Sequence, residues 1–275
     1  MGAQRITDAL LSAVHRRGLG LIAYVMAGHP RPEATHVLLP ALAEAGVDVL
    51  EVGVPFSDPV AEGPVIQQAS FSALEKGITL LWCLETIRQV RRGGLETPIL
   101  LMGYYNPLLA YGLERCVRDS AQAGVDGFIV ADLPPEEAGP LREACQASRL
   151  ALVPLVAPTS TDERIALACR GASGFVYCVS VTGTTGARDT LAPEIPSLVA
   201  RVRRHTHLPV AVGFGVSRPE HLGALQGVAD AVVVGSALVQ ALATAPPGRE
   251  GPVAQEFIAR LLTGITAPPL PRRPS

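Results

Sequence analysis

Lysine is almost missing from this chain: Lys76 is the only one in 275 residues, and it falls in a helix-like segment. Schiff-base chemistry needs an amine at the mouth of a site, and no lysine falls at a strand end, which argues against that class of mechanism. Cysteine is scarce as well. The five (Cys83, Cys116, Cys145, Cys169, Cys178) are odd in number, show no CxxC spacing and mostly sit in apolar patterns, which reads as reduced core thiols of a cytoplasmic protein. The six histidines (His15, His29, His36, His205, His207, His221) are scattered without HExxH or any paired spacing, so no metal site is expected. No apolar run reaches the ~18 residues of a membrane span. The first segment, MGAQRITDALLSAVHRRG, mixes charges into a helical pattern and lacks the features of a signal peptide. A net charge of −2 with no basic stripe argues against nucleic acid or an anionic membrane as partner and leaves a small molecule.

What is present is a rhythm. Short, nearly all-apolar runs occupy Gly20–Met26, Val49–Val52, Ile99–Met102, Gly127–Val130, Ala151–Leu155, Gly174–Val179, Val210–Gly213 and Ala231–Val234, with helix-length segments between most of them. Such runs suit parallel strands covered on both faces. Between the first two, Ala34, Val37, Leu38, Ala41, Leu42 and Ala45 follow a helical period that Gly46 ends, and Pro40 inside it predicts a kink or a late start. Ala45-Gly46-Val47-Asp48 is echoed by Ala123-Gly124-Val125-Asp126 and more loosely by Gly227-Val228-Ala229-Asp230, each a helix stop and turn feeding a strand. Eight βα units, 48% hydrophobic residues and this length predict a single (β/α)8 TIM barrel, α/β in class, over residues 1–266. An open doubly wound sheet fits less well, because no GxGxxG follows the first run. The proline-rich end, residues 267–275, is expected to be a disordered tail.

In a barrel, chemistry gathers where strands end. The loops carrying Gly183 and Gly186, Gly213 and Gly215, and Gly235 and Ser236 let the backbone approach an anion closely, and Ser236 opens a short helix whose N–H groups point at negative charge. Glu51, between Val49-Leu50 and Val52, is expected to face the barrel mouth among apolar groups, where desolvation raises a carboxyl pKa. Glu62, on a Gly/Pro-flanked loop, is expected to be more hydrated and ionised, so that one acid donates a proton while the other holds positive charge. Their bland readings are a buried ion pair for Glu51 and a solvated loop acid for Glu62. Asp132, at a strand end, reads equally as ordinary turn chemistry.

Several ordered motifs carry a resemblance: VGVPFSDPVAEGP (52–64), MGYYNPLLAYG (102–112), VADLPPEE (130–137), LVAPTSTDERI (155–165), GFVYCVSVTGTTGAR (174–188), VAVGFGVS (210–217) and VVVGSAL (232–238). Over essentially its whole length the chain resembles the α subunits of tryptophan synthase. The resemblance implies a barrel that cleaves indole-3-glycerol phosphate to indole and glyceraldehyde 3-phosphate by retro-aldol chemistry. It implies no cofactor in this subunit, and a pyridoxal-phosphate-bearing β subunit as partner in a cytoplasmic α2β2 complex. By the same resemblance Glu51 is the general acid/base that protonates indole C3, and Tyr177 lies near it. Tyr24 and Asp132 fall at the indole pocket and a nearby loop, Thr185 on a loop that closes over substrate, and Gly186, Gly213, Gly215, Gly235 and Ser236 on the phosphate loops. Ser57, Asp58, Pro59 and Asn106 fall on the surface that meets the β subunit.

Two positions depart from the family pattern. Glu62 stands where the family has Asp, which takes up the indole N–H and stabilises charge on the ring. One methylene extends the carboxylate by about 1.5 Å, and a ~1 Å misplacement can cost ~10²-fold in rate. His29 stands where the family often has Asp. The departure at 62 leaves open a weakened, regulatory α-like subunit, or a lyase or isomerase for another phosphorylated compound.

Overall fold

A parallel strand needs a crossover to return the chain and apolar cover on both faces, and these demands account for most of the architecture. In the computed structural model, which describes residues 2–179, 194–213 and 215–266, the apolar runs form strands β1 (Gly20–Met26), β2 (Val49–Gly53), β3 (Ile99–Gly103), β4 (Gly127–Val130), β5 (Ala151–Val153), β6 (Leu155–Val156), β7 (Val176–Val179), β8 (Val210–Gly213) and β9 (Ala231–Val234). Helix α1 (Gly2–Arg17) precedes them. The others are α2 (Ala34–Glu44), α3 (Pro64–Glu75), α4 (Leu80–Arg92), α5 (Tyr105–Tyr111), α6 (Leu113–Ala123), α7 (Gly139–Ala147), α8 (Asp162–Arg170), α9 (Glu194–Arg203), α10 (Pro219–Leu225), α11 (Ser236–Ala243) and α12 (Glu250–Leu262).

Every strand pair is parallel, in the order β5-β4-β3-β2-β1-β9-β8-β7-β6. The two ends of that order, β5 and β6, are parted in the chain by Pro154 alone. The run expected as one strand is therefore bent at Pro154, with its first half on β4 and its second on β7, and this bend closes the barrel. Proline has no N–H to give a ladder, but the Pro154 carbonyl still accepts the Tyr177 N–H at 3.0 Å.

Two apolar cores result. One lies between strands and helices; the other fills the barrel with Ile22, Val49, Leu100, Ile129, Phe175 and their neighbours. Ile6 and Leu10 of α1 belong to the inner core and are fully buried, so the first helix plugs the end opposite the strand C-termini. Thr7 Oγ1 fastens it to the Gly174 carbonyl at 2.7 Å.

The echoed turns act alike at that end. Gly46, Gly124 and Gly227 take φ of +96°, +93° and +79°, a region glycine enters without strain. Asp48, Asp126 and Asp230 then each accept an N–H at the start of a neighbouring strand, from Leu21, Ile99 and Val210, at 2.8, 2.9 and 2.8 Å. Arg16 and Arg17 grip Asp48, Arg5 and Arg91 grip Asp126, and Arg203 grips Asp230. Helix α2 starts at Ala34 and continues past Pro40, so the late start is not taken. Residues 267–275, expected as a tail, lie outside the described residues. Among those described, no helix is long and apolar enough to cross a membrane.

Candidate active site

Strand alternation fixes where Glu51 points. It shares a face of β2 with Val49, whose side chain is in the inner core, and its register partners are Tyr24 on β1 and Leu100 on β3. Glu51 is 1% exposed, Oε2 has no hydrogen-bond partner, and no cation pairs with it among the described residues. The buried ion pair is thus not what the structure contains. Burial pushes this carboxyl up to about 8, and the charge of Glu62 adds to the rise.

Glu62 corrects one expectation. It is half-buried rather than freely hydrated, and burial pushes its carboxyl up to about 7. Its loop is held from several sides. The Glu62 N–H donates to the Pro59 carbonyl at 3.0 Å, Gln67 Nε2 donates to the Glu62 carbonyl at 2.9 Å, and the Ala61 N–H donates to the Tyr104 hydroxyl at 3.0 Å.

Two tyrosines complete the mouth. Tyr24 and Tyr177 are buried, and burial raises both phenols well above their ordinary value, with the charges of Glu51 and Glu62 adding to it. Both rings lie over glycines. A Cβ on Gly53 would stand 2.1 Å from the Tyr24 hydroxyl, and one on Gly213 would stand 2.5 Å from that of Tyr177. Gly213 is therefore small first of all to seat Tyr177, a reason the sequence did not disclose. Gly215 has open space but φ +55°, so its need is conformational. Gly235 follows β9 and precedes Ser236 at the start of α11, whose first N–H groups are the free donors of a helix N-terminus. Thr185 and Gly186, with Phe214, lie outside the described residues.

The remaining candidates separate. Asp132 is exposed and accepts the Tyr105 N–H at 2.8 Å, tying the loop after β4 to the start of α5. Ser57, Asp58 and Asn106 are exposed, whereas Pro59, expected beside them, is buried in this chain. Both His29 ring nitrogens are buried without partners, and burial, then Lys76, lowers that imidazole to about 4. No group of three potential metal ligands occurs among the described residues. Tyr104, Phe56, Ser70 and Gln67 were given no role from sequence. Only the tyrosine pair at a strand end hinted at one of them.

A closed parallel barrel with a proton-bearing buried acid at its mouth, a second acid on the loop after the same strand and glycine-bearing loops after β8 and β9 defines an acid–base enzyme of the TIM-barrel class. The sequence profile of the tryptophan synthase alpha chain family matches residues 11–261. A tryptophan synthase alpha chain from Roseiflexus sp. is 48% identical over 93% of this chain and 97% of its own length. Tryptophan synthase from Saccharomyces cerevisiae is 44% identical over 95% of this chain, which spans 37% of that longer protein. The crystal structure of tryptophan synthase subunit alpha from Legionella pneumophila superposes with a TM-score of 0.85 at 35% identity, covering 95% of this chain and 98% of the other. The chain belongs to the tryptophan synthase α-chain family, carbon–carbon lyases that cleave indole-3-glycerol phosphate.

Proposed function

We propose that Glu51 and Glu62 divide the acid–base work of this cleavage, and that the subunit needs no cofactor of its own. The observation that carries the reading is Glu51: a buried carboxyl without a cation, held up to about 8, keeps its proton at neutral pH. That proton goes to indole C3, placing positive charge on the ring nitrogen. Glu62, ionised above about 7, faces that N–H and stabilises the cation. The glycerol hydroxyl next to the ring then gives its proton back to the Glu51 carboxylate as the carbon–carbon bond breaks. The bonding electrons return to the ring, and indole and glyceraldehyde 3-phosphate leave. Tyr24 lines the indole pocket, Tyr177 stands beside Glu51, and Asp132 steadies the neighbouring loop.

The phosphate is assigned to Gly213, Gly215, Gly235 and Ser236, with Thr185 and Gly186 from the stretch outside the described residues. Helix N–H donors suit such an anion without a lysine. Exposed Ser57, Asp58 and Asn106, with Pro59 behind them, face a β subunit that carries the pyridoxal phosphate, in a cytoplasmic α2β2 assembly. A weakened, purely regulatory subunit finds no specific support, since both acids have environments fit for proton transfer.

Indole release from indole-3-glycerol phosphate, followed for wild type and Glu51→Gln with and without a β subunit, tests the reading. Turnover by the wild type and a loss of at least ~10³-fold in Glu51→Gln are expected. Equal rates would remove Glu51 from the mechanism.

A further inference from the structure

The loop 54–63 must hold Glu62 in place although it leaves the sheet after Val54, and apolar burial anchors it at Val54, Pro55 and Pro59 but not at its tip, where Val60 is 75% exposed. Tyr104, the first residue beyond β3, supplies what burial does not. Its ring stacks on Phe56, near the start of the loop, with centroids 5.1 Å apart and 28° between planes. Its hydroxyl accepts the N–H of Ala61, the residue before Glu62, at 3.0 Å. One side chain thus grips the loop at both ends, and at 4% exposure it has little room to move. Ser70 on α3 fixes Phe56 from the other side, accepting its N–H and donating to its carbonyl, both at 2.9 Å.

We propose that Tyr104 is the positioning residue for Glu62: by pinning the peptide at Ala61 it makes the longer acid reach inward over the barrel mouth instead of letting the loop relax outward. The inference rests on the reading of Glu62 given above. Two further observations agree with an inward reach. Among the charges acting on Tyr24, that of Glu62 ranks ahead of that of Glu51, although Glu51 is the register neighbour. The Tyr104 phenol is pushed up to about 12, chiefly by burial, with Glu62 contributing. Because the hydroxyl serves Ala61 as an acceptor, its proton remains available to a second partner at the mouth.

A braced loop cannot follow a shortened side chain, whereas a loosened one can, so residues 104 and 62 are coupled. The test is a double-mutant cycle of Tyr104→Phe and Glu62→Asp, reading kcat, KM and the pH dependence of kcat for indole release. Tyr104→Phe is expected to lower kcat ~10-fold with KM nearly unchanged and to shift the acidic limb of the profile. Glu62→Asp is expected to lower kcat ~10²-fold, and the double variant to lose less than the product of the two. Ser70→Ala, which loosens the loop without touching Tyr104, should reproduce the kcat loss even if Tyr104→Phe folds poorly. Wild-type kcat and pH profile in Tyr104→Phe, or strictly multiplying effects in the double variant, would overturn the proposal while leaving Glu62 its role. Full turnover by Glu62→Gln would instead remove the reading of Glu62 and this inference with it.

Discussion

Two carboxyls held up to about 8 and about 7 release their protons in sequence as pH rises. Glu62 ionises first, and the form with Glu51 protonated and Glu62 charged is the one that both donates a proton and receives the ring cation. The profile of kcat/KM against pH should therefore be a narrow bell, rising near 7 and falling near 8, with both limbs belonging to the interacting pair. Glu62→Gln should flatten the acidic limb; an unchanged limb would reassign it. Stability carries a matching signature. The folded state keeps the Glu51 proton that an unfolded chain releases near 4.5, so the contribution is whole at acid pH and fades as pH climbs through about 8. Glu51→Gln should thus melt several degrees above wild type at pH 9 and close to it at pH 5, while losing turnover. A constant difference across that range would contradict a buried, proton-holding Glu51. The burial of Glu51 was legible in Val-Leu-Glu-Val, because strand alternation settles which way it faces. That of Glu62 was not, since it depends on a hydroxyl 43 positions away from Ala61. The seating of Tyr177 over Gly213 was equally hidden, and Gly213→Ala should displace that ring and lower kcat at least ~10-fold.

At the scale of elements, the echoed Gly-Val-Asp turns were readable as helix stops feeding strands. The reason for the aspartates was not, because their arginines arrive from α1, α4 and α9. Asp48 and Asp126 are equally committed, each holding two arginines and one strand N–H; for Asp126 these are Arg5, Arg91 and the Ile99 N–H. Asp126→Ala leaves Arg91, itself only 15% exposed, without its counter-charge, which should cost about 3–5 kcal/mol. The variant sits at the end of the barrel away from the acids. Urea unfolding should register the loss, and kcat below the melting temperature should stay at the wild-type value. A fall in kcat without a fall in stability would mean that the clamp reaches the site. Pro40 teaches the reverse lesson. Sequence rules flagged it as a disruption, yet α2 begins at Ala34 and runs through it, its apolar face packed on the sheet. Tertiary burial outweighs one lost hydrogen bond.

For the whole molecule, the barrel was legible because covered parallel strands leave long apolar runs, although the eight runs form nine strands, one of them being divided at Pro154. The closure was not: nothing local marks Pro154 as the place where one strand changes neighbours, since both neighbours are distant in the chain. The inner plug also escaped the sequence reading, which took α1 only as a charged helix. Ile6→Ala or Leu10→Ala should open a void against the inner core and cost about 2–5 kcal/mol in equilibrium unfolding, with kcat retained. The anchoring of that helix has a consequence for synthesis. The C-terminal turn of the helix reaches Asp48 early through Arg16 and Arg17, but its first turns, at Ala3, Arg5 and Thr7, find their partners at Arg149, Asp126 and Gly174, far later in the chain. A nascent polypeptide therefore carries the start of its first helix unfastened, with part of its apolar face uncovered, until more than half of the protein has left the ribosome. The interval before Gly174 emerges is when a chaperone has most to bind.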